Sequence, residues 1–198
     1  MKKLLIATRN PGKLREYKAI FKELDLPLKL VSLRDLGIEQ KVKEDGETFE
    51  ENAIKKARFY SKLANLPVLG DDSGIEIDFL NGEPGVKSRR WPGYDASDGD
   101  LRRFTLEKLE GVPEYKRGAQ LRAILCLVLP GDKKNYTFEG KLRGRIAQKS
   151  IKKRFKGYPF RSLFIPLGAK KYLGELHIVA HRKKAIKKAL SLLRTKFK

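Results

Sequence analysis

Cysteine and histidine are scarce in this chain of 198 residues, which holds one cysteine and two histidines. One cysteine excludes a disulfide framework and a multi-cysteine zinc site within the chain, and two histidines leave little for a histidine-based metal centre. The cysteine, Cys126, lies in the apolar segment 124–128. This placement predicts a small buried side chain and not a nucleophile.

Long hydrophobic runs are also missing. The apolar run that starts at Leu4 reaches only to Thr8, which is too short for the core of a signal peptide, and no run has the length of a membrane span. With 40% hydrophobic and 9% aromatic residues, the chain can nevertheless bury a core. We therefore expect a cytoplasmic protein without a membrane partner, folded as one domain over residues 1–198 with no separate linker.

Acidic residues are almost absent from the last third of the chain. Residues 141–198 contain 19 basic residues and one acid, Glu175, whereas residues 1–140 contain 26 basic and 23 acidic residues. The net charge of +21 is therefore concentrated at one end. Such a polycation attracts phosphate-rich partners, whether nucleotides, nucleic acid or anionic lipid. The alternative is a solvated basic surface with no specific ligand.

The hydrophobic pattern predicts strands and helices that alternate in the first half, which indicates an α/β fold. Turn residues such as Pro130-Gly131-Asp132 separate the segments. Strands are predicted at 3–8, 28–33, 67–69, 75–79, 119–129, 135–142 and 163–166. Helices are predicted from Pro11 to Leu24, from Thr48 to Ala64, at 98–109 and at 181–193.

The segment Thr8-Arg9-Asn10-Pro11-Gly12-Lys13 joins the first strand to the first helix. A helix N-terminus offers free backbone N–H groups and the positive end of the helix dipole, and Lys13 adds a full charge. The segment has neither the Walker A nor the Rossmann glycine spacing. It therefore predicts a phosphate-binding loop of another kind, with an ordinary helix capped by Asn10 as the alternative.

Two adjacent carboxylates open the segment Asp71-Asp72-Ser73-Gly74, which we interpret as a turn at the end of a strand. Hard oxygen ligands of this kind hold Mg²⁺, and such a carboxylate can also deprotonate an attacking water. A solvated Asp-Asp-Ser-Gly turn is the alternative.

Acidic residues also crowd the start of the second helix, where Glu51 is the expected capping-box partner of Thr48. Glu44 precedes this start and could supply a second metal ligand. Lys56 lies one turn after Asn52 on the same helical face and could reach the same site. The alternative is a well-capped helix with a surface lysine.

The basic C-terminal third contains aromatic residues. Phe155, Tyr158 and Phe160 are interleaved with Lys153, Arg154, Lys156 and Arg161. Aromatic faces stack on bases, and cations hold phosphates. His181 and Arg182 begin the last helix. Core packing of the aromatic rings is the alternative.

The order of these motifs resembles the pyrophosphatases of non-standard purine nucleoside triphosphates, the Ham1/inosine triphosphatase family. The matching residues are Thr8-x-Asn10-x-x-Lys13, Glu44, Thr48-Phe49-Glu50-Glu51-Asn52-Ala53-x-x-Lys56, Asp71-Asp72-Ser73-Gly74, Pro84-Gly85-x-x-Ser88-x-Arg90 and His181-Arg182. The resemblance implies an elongated α/β fold of two lobes around a central mixed sheet. It also implies Mg²⁺-dependent hydrolysis of ITP, dITP and XTP to the monophosphate and pyrophosphate, and a homodimer.

The resemblance also implies residue roles. Asp72 is the catalytic base and a metal ligand, Glu44 supports the metal, and Lys56 is a catalytic-site lysine. Substrate contacts are implied for Thr8, Arg9, Asn10, Pro11, Gly12, Lys13, Ser73, Tyr158, Phe160, Arg161, His181 and Arg182.

The chain departs from the family pattern in its C-terminal third. Arg161 and Ser162 stand where the family has Asp and Pro, Ala180 replaces a Ser, and the connection from Glu175 to Ala180 is about five residues shorter. Exchange of Asp for Arg reverses a charge in the implied base pocket, so an altered base preference is one alternative function. A basic nucleic-acid-binding module on the same fold is the other.

Overall fold

The computed structural model describes residues 2–176 and 180–197, in which strands and α-helices alternate as far as β4 and three consecutive strands then precede the last helix. The chain folds in the order β1(Lys2–Ala7), α1(Pro11–Glu23), β2(Leu28–Ser32), α2(Phe49–Ala64), β3(Val68–Ile77), α3(Asp98–Lys108), β4(Gly118–Val128), β5(Tyr136–Ile146), β6(Phe164–Pro166) and α4(Ala180–Lys196).

Six strands form one sheet in the order β2-β1-β3-β4-β5-β6. Strand β1 pairs in parallel with β2, with Leu4 opposite Leu30, and in parallel with β3, with Ile6 opposite Leu69. Strand β6 pairs antiparallel with β5. The predicted α/β class and mixed sheet are confirmed.

The chain divides into two compact units. The first comprises 1–73, 123–140 and 181–198, and the second comprises 74–122 and 141–180. The single-domain organisation over residues 1–198 stays a prediction.

The first unit buries β1 and the inner faces of its helices. Leu4, Leu5 and Ile6 are fully buried, and Tyr17 of α1 and Ala185 of α4 are buried with no exposed surface. A run of apolar residues flanked by helices on a parallel sheet is the pattern that produces such a buried strand.

The second unit has its own hydrophobic cluster. Its members are Ile75, Ile77, Leu109, Val112, Ala119, Leu121, Ile146, Phe160, Leu163, Phe164 and Leu173. Arg117 is buried beside it and its guanidinium donates to the carbonyls of Leu109, Ile146 and Ala147. A buried guanidinium is tolerated where carbonyl oxygens accept its protons.

Two sequence predictions about β3 are wrong. The segment 71–74 is not a turn, because β3 continues through it from Val68 to Ile77. Phe79 does not extend this strand, since residues 78–80 form a short 3₁₀ turn and Phe79 is exposed. The position of β3 between β1 and β4 in the sheet, and the burial of Asp71 and Asp72, explain why polar residues that favour turns remain extended here.

The capping box at α2 forms only in part. Thr48 Oγ1 accepts from the N–H of Glu51, as predicted, but the carboxylate of Glu51 accepts from the N–H of Glu47 and not of Thr48. The reciprocal bond is therefore displaced by one residue.

Cys126 is a buried free thiol within β4, as predicted. Within residues 2–176 and 180–197, no helix has the length and apolar composition that crossing a membrane requires.

Candidate active site

Helix α1 begins shortly after the end of β1, and the side chain of Asn10 caps its N-terminus. Asn10 Oδ1 accepts from the N–H groups of Gly12 and Lys13, at 2.8 and 3.3 Å, and the N–H of Leu14 donates to the carbonyl of Asn10. Thr8 Oγ1 accepts from the N–H of Asn10 at 3.2 Å. These backbone groups are therefore bonded, and the expectation of free N–H donors at this helix start is wrong.

The loop still presents side chains. Arg9 is exposed, and its guanidinium donates to the carbonyls of Glu39 and Gln40 at 2.6 and 3.0 Å. Pro11 is exposed and occupies the first turn of α1. Lys13 points to β3, where its Nζ lies 3.4 Å from Asp71 Oδ1. Any ligand of this loop is therefore met by side chains.

The close approach of α2 to β3 places two polar side chains against the carboxylates. A Cβ atom on Gly70 would lie 2.4 Å from the carbonyl oxygen of Ala53, so only glycine permits this distance. One turn of α2 then sets Asn52 and Lys56 over β3. Asn52 Nδ2 donates to Asp72 Oδ2 at 3.2 Å, and Lys56 Nζ donates to the carbonyl of Asp71 at 2.8 Å.

Lys56 joins the two predicted metal ligands. Its Nζ lies 2.6 Å from Glu44 Oε2 and 3.4 Å from Asp72 Oδ1. Burial works to lower the pKa of Lys56, but the carboxylates of Asp72 and Glu44 outweigh it and the pKa is raised. Lys56 is therefore a permanent cation whose protons are engaged, and it is unsuited to act as a base.

Asp72 is the carboxyl group with the properties of a general base. It is 8% exposed, and burial, opposed in part by Lys56 and Lys13, raises its pKa above the usual range. A raised pKa brings a carboxylate closer to the affinity that proton abstraction at neutral pH requires. Its Oδ1 also accepts from the N–H of Ser73 at 3.1 Å.

Asp71 behaves in the opposite way. Burial alone would raise the pKa of this carboxyl group, but the charges of Arg182 and Lys13 outweigh burial and hold the pKa of Asp71 well below its usual range. Burial is also the main influence on Lys13, whose pKa is lowered. Asp71 is therefore always ionised and serves as the anionic partner of two cations.

Arg182 lies in the first turn of α4 and is 3% exposed. Its guanidinium donates to Asp71 Oδ2 at 2.9 Å, to Glu16 Oε2 at 2.7 Å and to Ser73 Oγ at 2.6 Å. His181 Nε2 lies 3.0 Å from Arg182 Nη1, and His181 is buried. Within the first unit, contacts through Asp71 and Lys56 thus link seven of the predicted site residues: Lys13, Glu44, Lys56, Asp72, Ser73, His181 and Arg182. Arg9 contacts the loop at 39–40 instead.

Three predicted substrate residues belong to the second unit. Phe160 is part of the hydrophobic cluster there, as the alternative of core packing predicts. The guanidinium of Arg161 lies 4.8 Å from the centre of the Tyr158 ring. This is a cation–π contact in which the ring supports the cation.

Three residues of the site have no individual role in the sequence predictions. Glu16 and Tyr17 lie three and four positions after Lys13 on one face of α1, and an acid among apolar residues on that face was a usable signal. Burial and the charge of Asp71 raise the pKa of Tyr17. The role of Asn52 depends on contacts with Gly46 and Asp72, which no local pattern reveals.

No set of three or more His, Cys, Asp or Glu side chains within the described part of the chain is arranged to hold a metal ion alone. Two carboxylates do converge, since Glu44 and Asp72 both contact Lys56 Nζ. Mg²⁺ needs only one or two protein carboxylates when water and phosphate oxygens complete its shell. The donor chemistry of this pair therefore fits that ion.

A mixed sheet of this order, flanked by helices, defines an α/β protein, and paired carboxylates on β3 lie beside the lysines of α1 and α2. The sequence model of the Ham1 family matches residues 4–192, and the chain belongs to that family.

Known proteins of similar sequence and fold agree with this. The chain is 37% identical over 198 residues to the dITP/XTP pyrophosphatase of Bacillus subtilis, covering 98% of each chain. It is 49% identical over 147 residues to the dITP/XTP pyrophosphatase of Geobacter sulfurreducens, covering 74% of this chain and 72% of the other. The structure of the Staphylococcus aureus Ham1 protein has a TM-score of 0.81 at 32% identity, covering 98% of this chain and 100% of that one.

Proposed function

We propose that this protein is a nucleoside triphosphate pyrophosphatase that hydrolyses dITP, ITP and XTP to the monophosphate and pyrophosphate, and so removes deaminated purines from the nucleotide pool. One observation carries the proposal: Asp72, with its raised pKa, lies against Lys56 and Asn52 and adjoins the Lys13–Asp71 pair. The names of the relatives support the choice of substrate.

In the proposed reaction, a water molecule attacks the α-phosphorus and transfers a proton to the carboxylate of Asp72. The bond from the α-phosphorus to the bridging oxygen breaks, and pyrophosphate leaves with the electron pair. Negative charge grows on the leaving oxygens, where the ammonium of Lys13 is placed to stabilise it. Lys56 remains protonated throughout and holds Glu44 and Asp72 together.

Magnesium belongs to this proposal. Glu44 and Asp72 would hold the ion, because both offer carboxylate oxygens, the hard ligands that Mg²⁺ prefers, and both lie beside Lys56. When bound, Mg²⁺ neutralises charge on the phosphate oxygens. Thr8 and Asn10 are half-buried in the helix-start loop, and their side chains would contribute hydrogen bonds to the triphosphate.

The experiment is a panel of common and deaminated nucleoside triphosphates, incubated with the protein and Mg²⁺ and scored for pyrophosphate. We expect release from dITP, ITP and XTP and its loss in Asp72→Asn. If the protein releases pyrophosphate from none of the triphosphates in the panel, the proposed function is contradicted. The same panel tests the alternative of an altered base preference, which the contact of Arg161 with the Tyr158 ring favours. Faster hydrolysis of a triphosphate whose base is neither hypoxanthine nor xanthine supports this alternative.

A second candidate function, binding of nucleic acid, is favoured by the outer face of α4. Residues 180–197 contain no acid, and five basic side chains of this helix are exposed: Lys184, Lys187, Lys188, Arg194 and Lys196. The exposed face has no aromatic residue on which a base could stack, so we propose contacts with phosphates of a duplex and no sequence preference.

Duplex binding is measured against salt concentration. We expect the affinity for duplex to fall steeply as salt is raised and to be unchanged in Asp72→Asn. For each phosphate that a variant no longer neutralises, the slope of log K against log salt should be reduced by about 0.9. The triple replacement of Lys184, Lys187 and Lys188 by Ala is compared with a charge-matched replacement of exposed Lys3, Lys29 and Lys62. If both variants bind duplex equally weakly, or if the unaltered protein does not bind duplex, the exposed face of α4 is not a nucleic-acid-binding surface.

The homodimer and the cytoplasmic location stay predictions. Light scattering on the purified protein tests the first, for which we expect twice the mass of one chain.

A further inference from the structure

Arg9 connects the phosphate loop, residues 8–13, to a second loop of the first unit. This second loop, residues 38–47, precedes α2, contains no helix or strand and carries Glu44, so it is called the Glu44 loop. One terminal nitrogen of the guanidinium, Nη2, faces three consecutive carbonyl oxygens at 3.4, 2.6 and 3.0 Å, those of Ile38, Glu39 and Gln40.

Side chains hold the Glu44 loop in place. In the described part of the chain, no backbone-to-backbone hydrogen bond joins residues 39–47 to another segment. At the end of the loop, the N–H of Gly46 donates to Asn52 Oδ1 at 2.8 Å. The end of the loop is therefore fastened to α2.

The start of the Glu44 loop is held from two sides. Tyr60 of α2 donates its hydroxyl proton to the carbonyl of Gln40 at 3.0 Å, and Arg9 donates to the same oxygen. Hydrogen bonds from a charged donor are stronger than those from a neutral one. Because Gln40 lies only four residues before Glu44, the place of the Glu44 carboxylate depends on this contact with Arg9.

We infer that Arg9 is a positioning residue that holds the Glu44 loop against the phosphate loop and so sets the place of Glu44 for a divalent cation. The inference rests on the metal-binding role of Glu44 in the proposed function. Direct contact of Arg9 with the triphosphate is the alternative. The sign of one effect separates the two roles: loss of a positive charge by itself favours binding of a divalent cation, whereas release of the loop weakens it.

The first measurement needs neither metal nor nucleotide. Lys41 and Lys43 are exposed on the Glu44 loop, and trypsin cleaves after them when the loop opens. We expect Arg9→Met to raise the rate of cleavage at these sites at least about threefold, because the open form is more populated. Cleavage after Lys133 and Lys134, exposed in the turn between β4 and β5, is the internal control and should not change.

The second measurement is the affinity for Mn²⁺ alone, followed by water-proton relaxation, because Mn²⁺ takes the same oxygen ligands as Mg²⁺. We expect Arg9→Met to bind Mn²⁺ roughly threefold to tenfold more weakly than the unaltered protein. Arg9→Lys should rescue part of the affinity, since it restores a cation but not a guanidinium. Glu44→Gln gives the loss that removal of the ligand itself causes.

Arg15→Met is the matched control, since Arg15 is an exposed arginine of α1 and its replacement changes the charge by the same amount. It should bind Mn²⁺ at least as tightly as the unaltered protein does. The midpoint of thermal unfolding of Arg9→Met should fall by no more than about 4 °C, because Arg9 is exposed. If this variant fails to fold, Arg9→Lys replaces it, with a smaller loss expected in the same direction.

Unchanged cleavage of the Glu44 loop in folded Arg9→Met overturns the inference, as does Mn²⁺ affinity that is unchanged or higher. Equal acceleration of cleavage in the turn between β4 and β5 also overturns it, because the effect would then be general. So does an unaltered protein with no measurable affinity for Mn²⁺. An unaltered protein that binds Mn²⁺ but releases no pyrophosphate would refute the proposed function alone, because the two measurements still decide the role of Arg9.

Discussion

Asp71 and Asp72 are consecutive residues of one strand, yet the pKa of Asp71 is lowered and the pKa of Asp72 is raised. Successive side chains of a strand point to opposite sides, which gives each carboxylate a different set of neighbours. Asp71 meets Arg182 and Lys13, whereas Asp72 meets Asn52 and Lys56. One dipeptide thus supplies one carboxyl group that is held ionised and one whose raised pKa favours proton uptake.

The first prediction concerns Asp72→Asn. The variant should lose about 10²- to 10⁴-fold in kcat, the usual contribution of a general base. Because burial already disfavours the charged form of Asp72, the variant should lose less stability than Asp71→Asn. Pyrophosphate release and thermal unfolding measure the two effects. Retained activity, or a larger loss of stability than in Asp71→Asn, would contradict the assignment.

The second prediction concerns Asp71→Asn. Removal of the shared anion leaves Arg182 and Lys13 without it, and breaking a buried pair of this kind costs about 3–5 kcal/mol. We expect a lower midpoint of thermal unfolding, by about 2–4 °C for each kcal/mol. A variant as stable as the unaltered protein would show that the network contributes nothing.

Acid should also weaken the fold through Asp71. A carboxyl group whose pKa is lower in the folded state contributes stability that is complete above its unfolded pKa of about 4 and is lost as pH falls through the folded pKa. Free energies of unfolding measured between pH 6 and pH 2 should decline, and Asp71→Asn should decline less. An equal decline in both proteins would assign acid sensitivity to other groups.

The third prediction concerns the distance between β3 and α2. Gly70→Ala would place a Cβ atom 2.4 Å from the carbonyl oxygen of Ala53, which forces the helix away from the strand. We expect a loss of about 1–3 kcal/mol from overpacking, with reduced activity because Asn52 and Lys56 move with α2.

The matched control for this change is Gly99→Ala, within α3. A Cβ atom there has only ordinary contacts at 3.5 Å and beyond, so alanine should leave stability unchanged or raise it by up to about 1 kcal/mol. If Gly70→Ala and Gly99→Ala have the same midpoint of thermal unfolding, the close approach of α2 to β3 is not required for stability.

The fourth prediction concerns Cys126. Burial raises the pKa of this thiol to about 12, so almost no thiolate exists near neutral pH, and the side chain has no exposed surface. We expect no reaction with a thiol reagent in the folded protein and complete reaction in denaturant. Rapid labelling of the folded protein would contradict this burial.

The sequence predicted most elements of the first half, because apolar periodicity and capping residues act locally. Asn10 and Thr48 cap α1 and α2 as expected. The segment around Asp72 was mistaken for a turn, since its place in a strand between β1 and β4 and its ion pairs from α1, α2 and α4 keep it extended. These partners lie up to 111 residues away along the chain.

Part of the candidate site was also predicted from local patterns in the sequence. Single motifs indicated Lys13, Lys56 and Asp72, and the resemblance to a family linked them. The link from Arg182 to Glu16 spans 166 residues and follows no local pattern, so it required the structure. The same holds for the capped N–H groups of the phosphate loop, because a helix-start sequence is compatible with free or bonded donors.

Product analysis in ¹⁸O-labelled water tests the central claim most directly, with dITP as substrate and the unaltered protein. We predict pyrophosphate in an amount equal to the monophosphate, with the label in the monophosphate alone, because water activated by Asp72 attacks the α-phosphorus. Orthophosphate with a nucleoside diphosphate, or label in the pyrophosphate, would contradict the account.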